Sequence, residues 1–478
     1  MANSIPYLRK TFTKPKFICH DGICDTDLVA NTIQWDIAPR CQSLLHPVEK
    51  GETAEDSWAA IPKGPPIKLQ VIPIAVTPKS SASEPDQVQS LSTVVDLISD
   101  VWNGSEPINY VRPSFTSSIP TLSDTLPHKH AQIHLGTPPV PFYVDLDTGS
   151  SLLWLQSVLS PKEDPPIPDQ SVYHPARSTT STSLNDRTTV TYADGSNLIA
   201  SLYSDTVRIG NLTATSQTLG AAATHEIHDT FRNSKSNGIM GLGDFGRKNI
   251  VQTLKLQGRI KHASIALVGP RNDPKLADRI DREKILQPRG HLVVGSVDRT
   301  FYTGEIAWCS TEFLRNQERW LVKLDEVRIN RKTVVRNQLA MIDTGTAYIV
   351  VSQPNFATVK AAIPGAEDIT EKKDSAMFSF PEAELSSVEF VFGGRSMELR
   401  RQDFGLGGIR VGDNRMCSSI VGIPGQKWRE VFRGMEQVWI IGGIIGGIFL
   451  DNIVTVFDFE KRRIGFATIA ADKEVAWI

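Results

Sequence analysis

Residues 142–155 read FYVDLDTGSSLLWL. An apolar run suited to a buried strand stops at Asp147-Thr148-Gly149-Ser150 and then resumes. Residues 339–351, LAMIDTGTAYIVV, repeat the pattern around Asp343-Thr344-Gly345-Thr346. One Asp-Thr-Gly alone is an ordinary turn, with Asp capping and Gly supplying positive φ. Two copies, each set in apolar β sequence, ask for more, because the flanking strands strip water from each carboxylate. Pseudo-twofold symmetry that sets Asp147 beside Asp343 would forbid both from ionising cheaply. The pair would then hold one proton over an acidic to mildly acidic range, with apparent pKa values that belong to the pair. One ionised and one protonated carboxyl group form an acid–base device. The first takes a proton from water and the second polarises a carbonyl. The hydroxyls of Thr148, Ser150, Thr344 and Thr346 are short enough to hold the carboxylates in plane, and Gly149 and Gly345 allow close backbone approach.

The repeat extends further. Each half later carries two apolar residues and a glycine, Ile239-Met240-Gly241 and Ile444-Ile445-Gly446, at a similar distance beyond its Asp-Thr-Gly. From about residue 126 onward, short runs rich in Val, Ile, Thr and aromatics alternate with Gly, Asp and Asn turns, which reads as mostly β. Helices are expected near 248–259 and 353–362. The charged stretch 271–289, RNDPKLADRIDREKILQPR, reads as a solvated loop or hairpin insertion. Residues 1–125 differ. They carry ten Lys and Arg against fourteen Asp and Glu, a net of −4, and their later part is rich in Ser, Thr and Pro. They read as an extension, part extended and part disordered, with one short helix at Ser92–Trp102, STVVDLISDVW.

With 478 residues, 40% hydrophobic and 22% charged, two or three domains with sizeable cores are expected. A net charge of −2 argues against a nucleic-acid partner or an electrostatic hold on a membrane. The most apolar stretch, residues 438–450, is too short to span a bilayer and reads as buried strand. Five cysteines, Cys19, Cys24, Cys41, Cys309 and Cys417, give no readable disulfide framework. Three weaker constellations are present. Gly241-Leu-Gly-Asp-Phe-Gly246 matches a dinucleotide fingerprint but lacks a βαβ setting. His128, His130 and His134 have no Cys or acidic partner near in sequence, so a solvated strand start is expected there. Cys19-His20 with Cys24 and Cys41 lacks an assigned fourth zinc ligand.

The quoted blocks together resemble the pepsin-like aspartic peptidases, over roughly His130 to Ile469. IHLGTPPVPFYVDLDTGSSLLWL is similar to that family's first active-site block and MIDTGTAYIVV to its second. VTYADGSNLIASLYSDTVRIG is similar to its flap hairpin. SNGIMGLG and IIGGIFLDNIVTVFD are similar to the paired segments behind each aspartate, and GSVDRTFYTGEIAW to the block joining the lobes. The resemblance implies a bilobal, mostly β fold with a cleft between pseudo-twofold lobes, 126–298 and 299–478. Residues 1–125 would be an extension or prosegment. It implies a catalytic dyad of Asp147 and Asp343, with Ser150 and Thr346 bonded to them. Tyr192 would sit at the flap with its hydroxyl reaching Trp154, and Asp194, Gly195 and Ser196 at the flap tip. Gly149, Gly345 and Thr346 would face substrate. The implied activity is endoproteolysis of a peptide or protein substrate by a monomer, without cofactor or metal. A non-proteolytic peptide-binding or biosynthetic member of the same fold is the alternative.

Departures from the family pattern are Ala193 after the flap Tyr, Ala347 after Thr346, and Asn237 before the first apolar-apolar-Gly segment. Cys417, in MCSSIVG, resembles half of the family's C-lobe disulfide. The expected partner region, FSFPEAELSSVEF, offers Phe380 and no cysteine, so that bridge is expected to be absent, with Cys309 an unsupported substitute. The resemblance points to secretion or a vacuole, whereas the N-terminal MANSIPYLRKTFTKPKF has no apolar core of signal length. Asn103 and Asn211 start sequons that matter only on the secretory route.

Overall fold

A computed structural model of the chain describes residues 92–100, 130–160, 171–192, 197–226, 236–244, 248–269, 286–312, 319–372, 375–399, 401–408, 414–431 and 441–470. The expectations for Cys19, Cys24, Cys41, Asn103, His128 and most of the N-terminal extension therefore fall outside the described residues. So do those for Ala193, Asp194, Gly195, Ser196 and Gly246.

The strands of the first half are β1 (Thr93–Asp100), β2 (His130–Leu135), β3 (Val140–Asp147), β4 (Leu153–Leu155), β5 (Thr182–Thr191), β6 (Asn197–Ile209), β7 (Leu212–Glu226), β8 (Gly238–Gly241), β9 (Ser264–Val268) and β10 (Leu286–Val294). β11 (Tyr302–Ser310) follows. The second half holds β12 (Leu321–Ile329), β13 (Lys332–Ile342), β14 (Ile349–Ser352), β15 (Glu367–Lys372), β16 (Ser375–Pro381), β17 (Val388–Phe392), β18 (Arg395–Leu399), β19 (Gly405–Gly408), β20 (Arg415–Ser418), β21 (Ile420–Ile423) and β22 (Ile441–Ile445). β23 (Ile453–Asp458) and β24 (Arg463–Ile469) close the chain. The strands of the described residues fall into two sheets. One has 13 strands in the order β11-β24-β23-β9-β10-β1-β2-β3-β8-β4-β7-β6-β5, and the other has 11 strands drawn from β12 to β22. The last two strands thus cross back into the sheet of the first half.

The internal repeat appears as one local topology used twice. β8 runs parallel to β3 and antiparallel to β4, and β22 runs parallel to β13 and antiparallel to β14. β4 then pairs parallel with β7, as β14 does with β21. A strand that must fit between two others needs bare backbone. A Cβ at Gly446 would sit 2.2 Å from the Thr346 carbonyl oxygen, so the Gly ending the second apolar-apolar-Gly triplet is required by close approach. The ends of β3 and β13 are buried on both faces, which explains why they read as continuous apolar runs.

Two helices stand where the sequence expects them. Ile250–Leu256 opens on a reciprocal capping box between Asn249 and Gln252, and Gln353–Ala361 has Pro354 in its first turn. Residues 438–450 hold β22 and a short helix, Gly447–Leu450. Among the described residues, no helix is long and apolar enough to cross a membrane.

Ser92–Trp102 is a difference. The expected helix is strand β1, laddered along its length to β10 and briefly to β2. Val94, Val95 and Ile98 are β-branched, and two open strand edges satisfy the backbone where an isolated short helix would have little support. The Thr93 hydroxyl also accepts from the Asn211 backbone N–H (3.4 Å) at the β6–β7 turn. β10 begins at Leu286, so the end of the charged 271–289 stretch is strand, and residues 270–285 lie outside the description.

The cysteines need one correction. Register sets Ser379, not Phe380, opposite Cys417 across β16 and β20. Cys309 does not substitute as a partner: it and Cys417 are both free and buried. Burial, with a smaller contribution from Asp325, pushes the Cys309 thiol up to about 11.

Candidate active site

Strands β3 and β13 each end by delivering an aspartate into the interior: Asp147 is 2% exposed and Asp343 0%. Side chains alternate along β3, so Phe142, Val144 and Leu146 enter the core while Tyr143, Asp145 and Asp147 share the opposite face. The turns that follow are near copies of each other. Gly149 N–H donates to Asp147 Oδ1 (2.9 Å), and Gly345 N–H donates to Asp343 Oδ1 (3.0 Å). Ser150 Oγ donates to Asp147 Oδ2 (2.5 Å), and Thr346 Oγ1 donates to Asp343 Oδ2 (2.7 Å). Each carboxylate is therefore held at both oxygens, which fixes its plane.

The two turns are tied to each other. Thr148 N–H donates to Thr344 Oγ1 and Thr344 N–H to Thr148 Oγ1, both at 3.0 Å. Thr148 Oγ1 donates onward to the Ile342 carbonyl (3.1 Å), and Thr344 Oγ1 to the Leu146 carbonyl (2.8 Å). Read from sequence alone, all four hydroxyls hold carboxylates. Ser150 and Thr346 do so, whereas Thr148 and Thr344 cross to the opposite half. A two-fold axis between the turns is the simplest arrangement that makes all these bonds reciprocal.

Gly149 lies against the aspartate of the other half. A Cβ there would lie 2.7 Å from Asp343 Oδ1, so only glycine fits. Taken with the Gly149 N–H bond to Asp147 (2.9 Å), this keeps an oxygen of each carboxylate within about 8 Å of the other. Two carboxyl groups from turns 196 residues apart are thus brought to one place.

Trp154 on β4 donates from Nε1 to the Tyr192 hydroxyl (2.6 Å), with ring centroids 6.4 Å apart. Tyr192 itself is buried and packs with Leu152, Leu198 and Leu202. It precedes residues 193–196, which connect β5 to β6 and lie outside the described residues. Asn237 accepts from the Tyr143 N–H through Oδ1 (2.7 Å) and donates its own N–H to the Tyr143 carbonyl (2.7 Å), which aligns β8 with β3.

With two reciprocal turns, two matching strand triplets and two buried aspartates established, comparison with known proteins becomes informative. Residues 130–469 match the family model described as eukaryotic aspartyl protease. The chain belongs to the eukaryotic aspartyl protease family. It is similar to an aspartic protease of Phaffia rhodozyma, 26% identical over 332 residues, covering 68% of this chain and 73% of that one. It is also similar to gastricsin of Cavia porcellus, 28% identical over 342 residues, covering 71% and 79%. Among solved structures, an aspartic proteinase from Irpex lacteus shares the fold at a TM-score of 0.58, with 20% identity over 81% of this chain and 100% of that chain. This aspartyl protease is accordingly a bilobal, mostly β, aspartic-type endopeptidase.

Two features of this aspartyl protease escaped the sequence reading. Trp320, 2% exposed, donates from its indole Nε1 to the Leu242 carbonyl (3.1 Å), and the Leu242 N–H donates to the Asp147 carbonyl (2.7 Å). The Trp320 carbonyl accepts from the Ile342 N–H (2.9 Å), next to Asp343. Edge-to-face contacts with Phe457 and Phe459, at 5.1 and 5.0 Å, fix the ring. One aromatic thus braces the backbone beside both aspartates. Its only sequence signal is its place just ahead of the strand that pairs with the second block. The second feature corrects the expectation of a solvated strand start: His130 is fully buried and its Nδ1 contacts Asp145 Oδ1. Facing a carboxylate across β2 and β3 gives the buried ring a polar neighbour of opposite character. His134 is half-buried. Among the described residues, no group of His, Cys, Asp and Glu is arranged to hold a metal ion.

Proposed function

We propose that Asp147 and Asp343 share a single proton and hydrolyse peptide bonds by activating water between them. The ionised carboxylate takes a proton from a bound water, which attacks the scissile carbonyl. The protonated partner hydrogen-bonds the carbonyl oxygen as charge develops on it. No covalent enzyme intermediate, metal or cofactor takes part. The observation that carries this reading is the reciprocal exchange between Thr148 and Thr344, which makes the two turns geometrically equivalent around one reaction centre. Ser150 and Thr346 keep the carboxylates in plane. Gly149, Gly345 and Thr346 border the peptide, and Tyr192 with Asp194, Gly195 and Ser196 closes over it and excludes water. Trp154 orients Tyr192. Substrate lies as an extended strand, its side chains in alternate pockets. The enzyme acts as a monomer through lobes 126–298 and 299–478, on peptide or protein and not on nucleic acid. Its pH optimum is acidic, because the shared proton must be retained.

The test is digestion of a denatured protein at about pH 3–5, with and without a statine-type inhibitor. Inhibitor-sensitive cleavage that disappears in Asp147→Asn and in Asp343→Asn supports the mechanism. Folded protein with no cleavage at any pH would instead indicate a peptide binder of the same fold. An activity profile peaking above about pH 8 would contradict the shared proton.

A further inference from the structure

A third buried aspartate lies outside the two turns. Asp205 on β6 is 0% exposed, and it shares with Tyr203, Val207 and Ile209 the face of that strand that meets the main core. Four donors converge on it. Tyr173 Oη donates to Oδ2 (2.9 Å), while Ser178 Oγ (3.0 Å), Thr180 Oγ1 (2.6 Å) and the Thr206 N–H (2.7 Å) donate to Oδ1. Three segments are tied together there. Residues 173–181 lead into β5, and Asp205 with Thr206 belongs to β6. Thr137, in the β2–β3 turn, donates its N–H to Ser178 Oγ (3.0 Å) and accepts from the Thr179 N–H (2.9 Å). A buried acceptor surrounded by directed donors fixes orientation as well as distance, because losing any one of them leaves a polar group stranded in a low-dielectric setting.

This cluster stands at the root of the hairpin that carries Tyr192. β5 is the last strand of its sheet and, among the described residues, pairs with β6 alone. Residues 182 to 187 are all exposed, so little apolar burial holds the strand in place. Its ladder is also interrupted. Thr182 and Ser183 pair with Ser204 and Tyr203, the register then shifts, and Arg187 to Thr191 pair with Ser201 to Asn197. Asn185, in the gap, has a left-handed φ of 51°. The near part of the hairpin is fixed by the Asp205 cluster. The far part is fixed where Tyr192 meets the Trp154 indole and packs on Leu152 and Leu198. With an interrupted ladder between the two points, the direction in which β5 leaves the cluster decides whether Tyr192 arrives at Trp154.

We propose that Asp205 is a positioning residue for peptide hydrolysis, fixing the root of the β5–β6 hairpin so that Tyr192 is held against Trp154 in the arrangement that accepts substrate. This rests on the reading above, in which Tyr192 borders the peptide. Asp205 touches no substrate; it acts through Tyr192. Loosening the root lowers the fraction of molecules with Tyr192 in place. Peptide binding selects that fraction, so apparent affinity falls by the same factor, while the bound complex turns over at its usual rate.

The experiment measures kcat and KM on a peptide at about pH 4, statine-type inhibitor affinity, and Tm, all on the full chain. Asp205→Ala removes the acceptor from all four donors. It should raise KM and the inhibitor Kd by about 10-fold, with kcat within about 3-fold of wild type. Asp205→Asn is the conservative variant. Its Oδ1 keeps the Ser178, Thr180 and Thr206 donors, and its amide can donate to Tyr173 Oη, whose own proton turns to Ser181 Oγ (2.9 Å). KM should then return to within about 2-fold of wild type. Leu254→Ala, at a buried position of helix Ile250–Leu256, is the control for destabilisation alone and should lower Tm without moving KM. Thr180→Val deletes one donor and raises KM by about 3-fold, which keeps the test open if Asp205→Ala does not fold. A lowered Tm with KM within about 2-fold of wild type in both Asp205→Ala and Thr180→Val overturns the proposal. An equal rise of KM in Leu254→Ala, or a loss confined to kcat, overturns it as well. Failure of the underlying reading is distinguishable, because wild type itself would then neither cleave nor bind the inhibitor.

Discussion

Thr148→Val is the sharpest probe of how the two halves are held. Valine has the shape of threonine and no hydroxyl. The change removes one atom that accepts from Thr344 N–H (3.0 Å) and donates to the Ile342 carbonyl (3.1 Å). Leaving a buried group unsatisfied costs about 1–3 kcal/mol. Ile342 is fully buried and Thr344 half-buried, so the pair of losses is worth about 2–4 kcal/mol. For a protein of this size that corresponds to a fall in Tm of about 2–6 °C. Because both lost bonds span the halves, kcat should also fall, by about 10-fold or more, as the aspartates lose alignment. Scanning calorimetry and steady-state peptide hydrolysis read the two effects. Thr148→Ser keeps the hydroxyl and should recover most of both. The Thr344→Val change orphans a different set of groups, Thr148 N–H and the Leu146 carbonyl. If the exchange is one clamp, the second change costs less than the first, with a coupling of about 1 kcal/mol in the double variant. A Thr148→Val protein with Tm within about 1 °C of wild type would refute the reasoning.

Three further outcomes follow from other parts of the structure. Trp320→Phe removes the indole donor to Leu242 and leaves a gap against Phe457 and Phe459. It should cost about 2–4 kcal/mol, seen as a shifted urea midpoint, and should lower kcat more than it raises KM. Cys309 is buried with its thiol pushed up to about 11, so a thiol reagent at pH 8 should label it only after denaturation; rapid labelling of the native protein would contradict that placement. Glu460 is held below the usual carboxylate range, chiefly by the hydrogen bond from Lys255. A lowered folded-state pKa stabilises above the ordinary Glu range and loses that contribution as pH falls through the folded value. Glu460→Gln should therefore reduce stability at neutral pH by less than about 1 kcal/mol, and the difference from wild type should vanish in acid, as thermal melts across pH would show.

What the sequence exposes here is what local chemistry dictates. The Asp-Thr-Gly turns and the apolar strands around them sit within short windows whose residue types have few other uses, whereas the Tyr192–Trp154 contact, between residues 38 apart, is implied by the family resemblance alone. The helix start at Asn249 is legible for the same reason, since its cap is local. Long-range pairing is hidden. Thr93–Asp100 becomes a strand because β10, some 190 residues away in sequence, offers it an edge. Thr148 and Thr344 look like carboxylate supports until the opposite half is in place. Ser379 replaces Phe380 opposite Cys417 because strand register, one residue either way, is not written in composition. His130 was misread because its partner is across a ladder and not beside it in sequence. Aligning the two repeats residue by residue would have set His130 against Leu321 and Asp145 against Met341, which is a signal available without coordinates.

Symmetry and asymmetry have separate tasks in this molecule. The reciprocal threonines, the paired glycines behind each turn and the twin strand triplets make Asp147 and Asp343 nearly equivalent in backbone geometry. Equivalence brings the carboxyl groups together but gives no reason for either to be the base. Hydrolysis by a shared proton needs them unequal at the moment of attack, one giving and one taking. The side chains supply the inequality. Ser150 stands where the other half has Thr346, and the Tyr192 hydroxyl accepts from Trp154 of the first half. The buried pair two residues before the aspartate is polar in one half and apolar in the other. Of these, the Ser150 and Thr346 hydroxyls touch the carboxylates themselves, so a difference of one methyl group between the halves sits directly against the two aspartates.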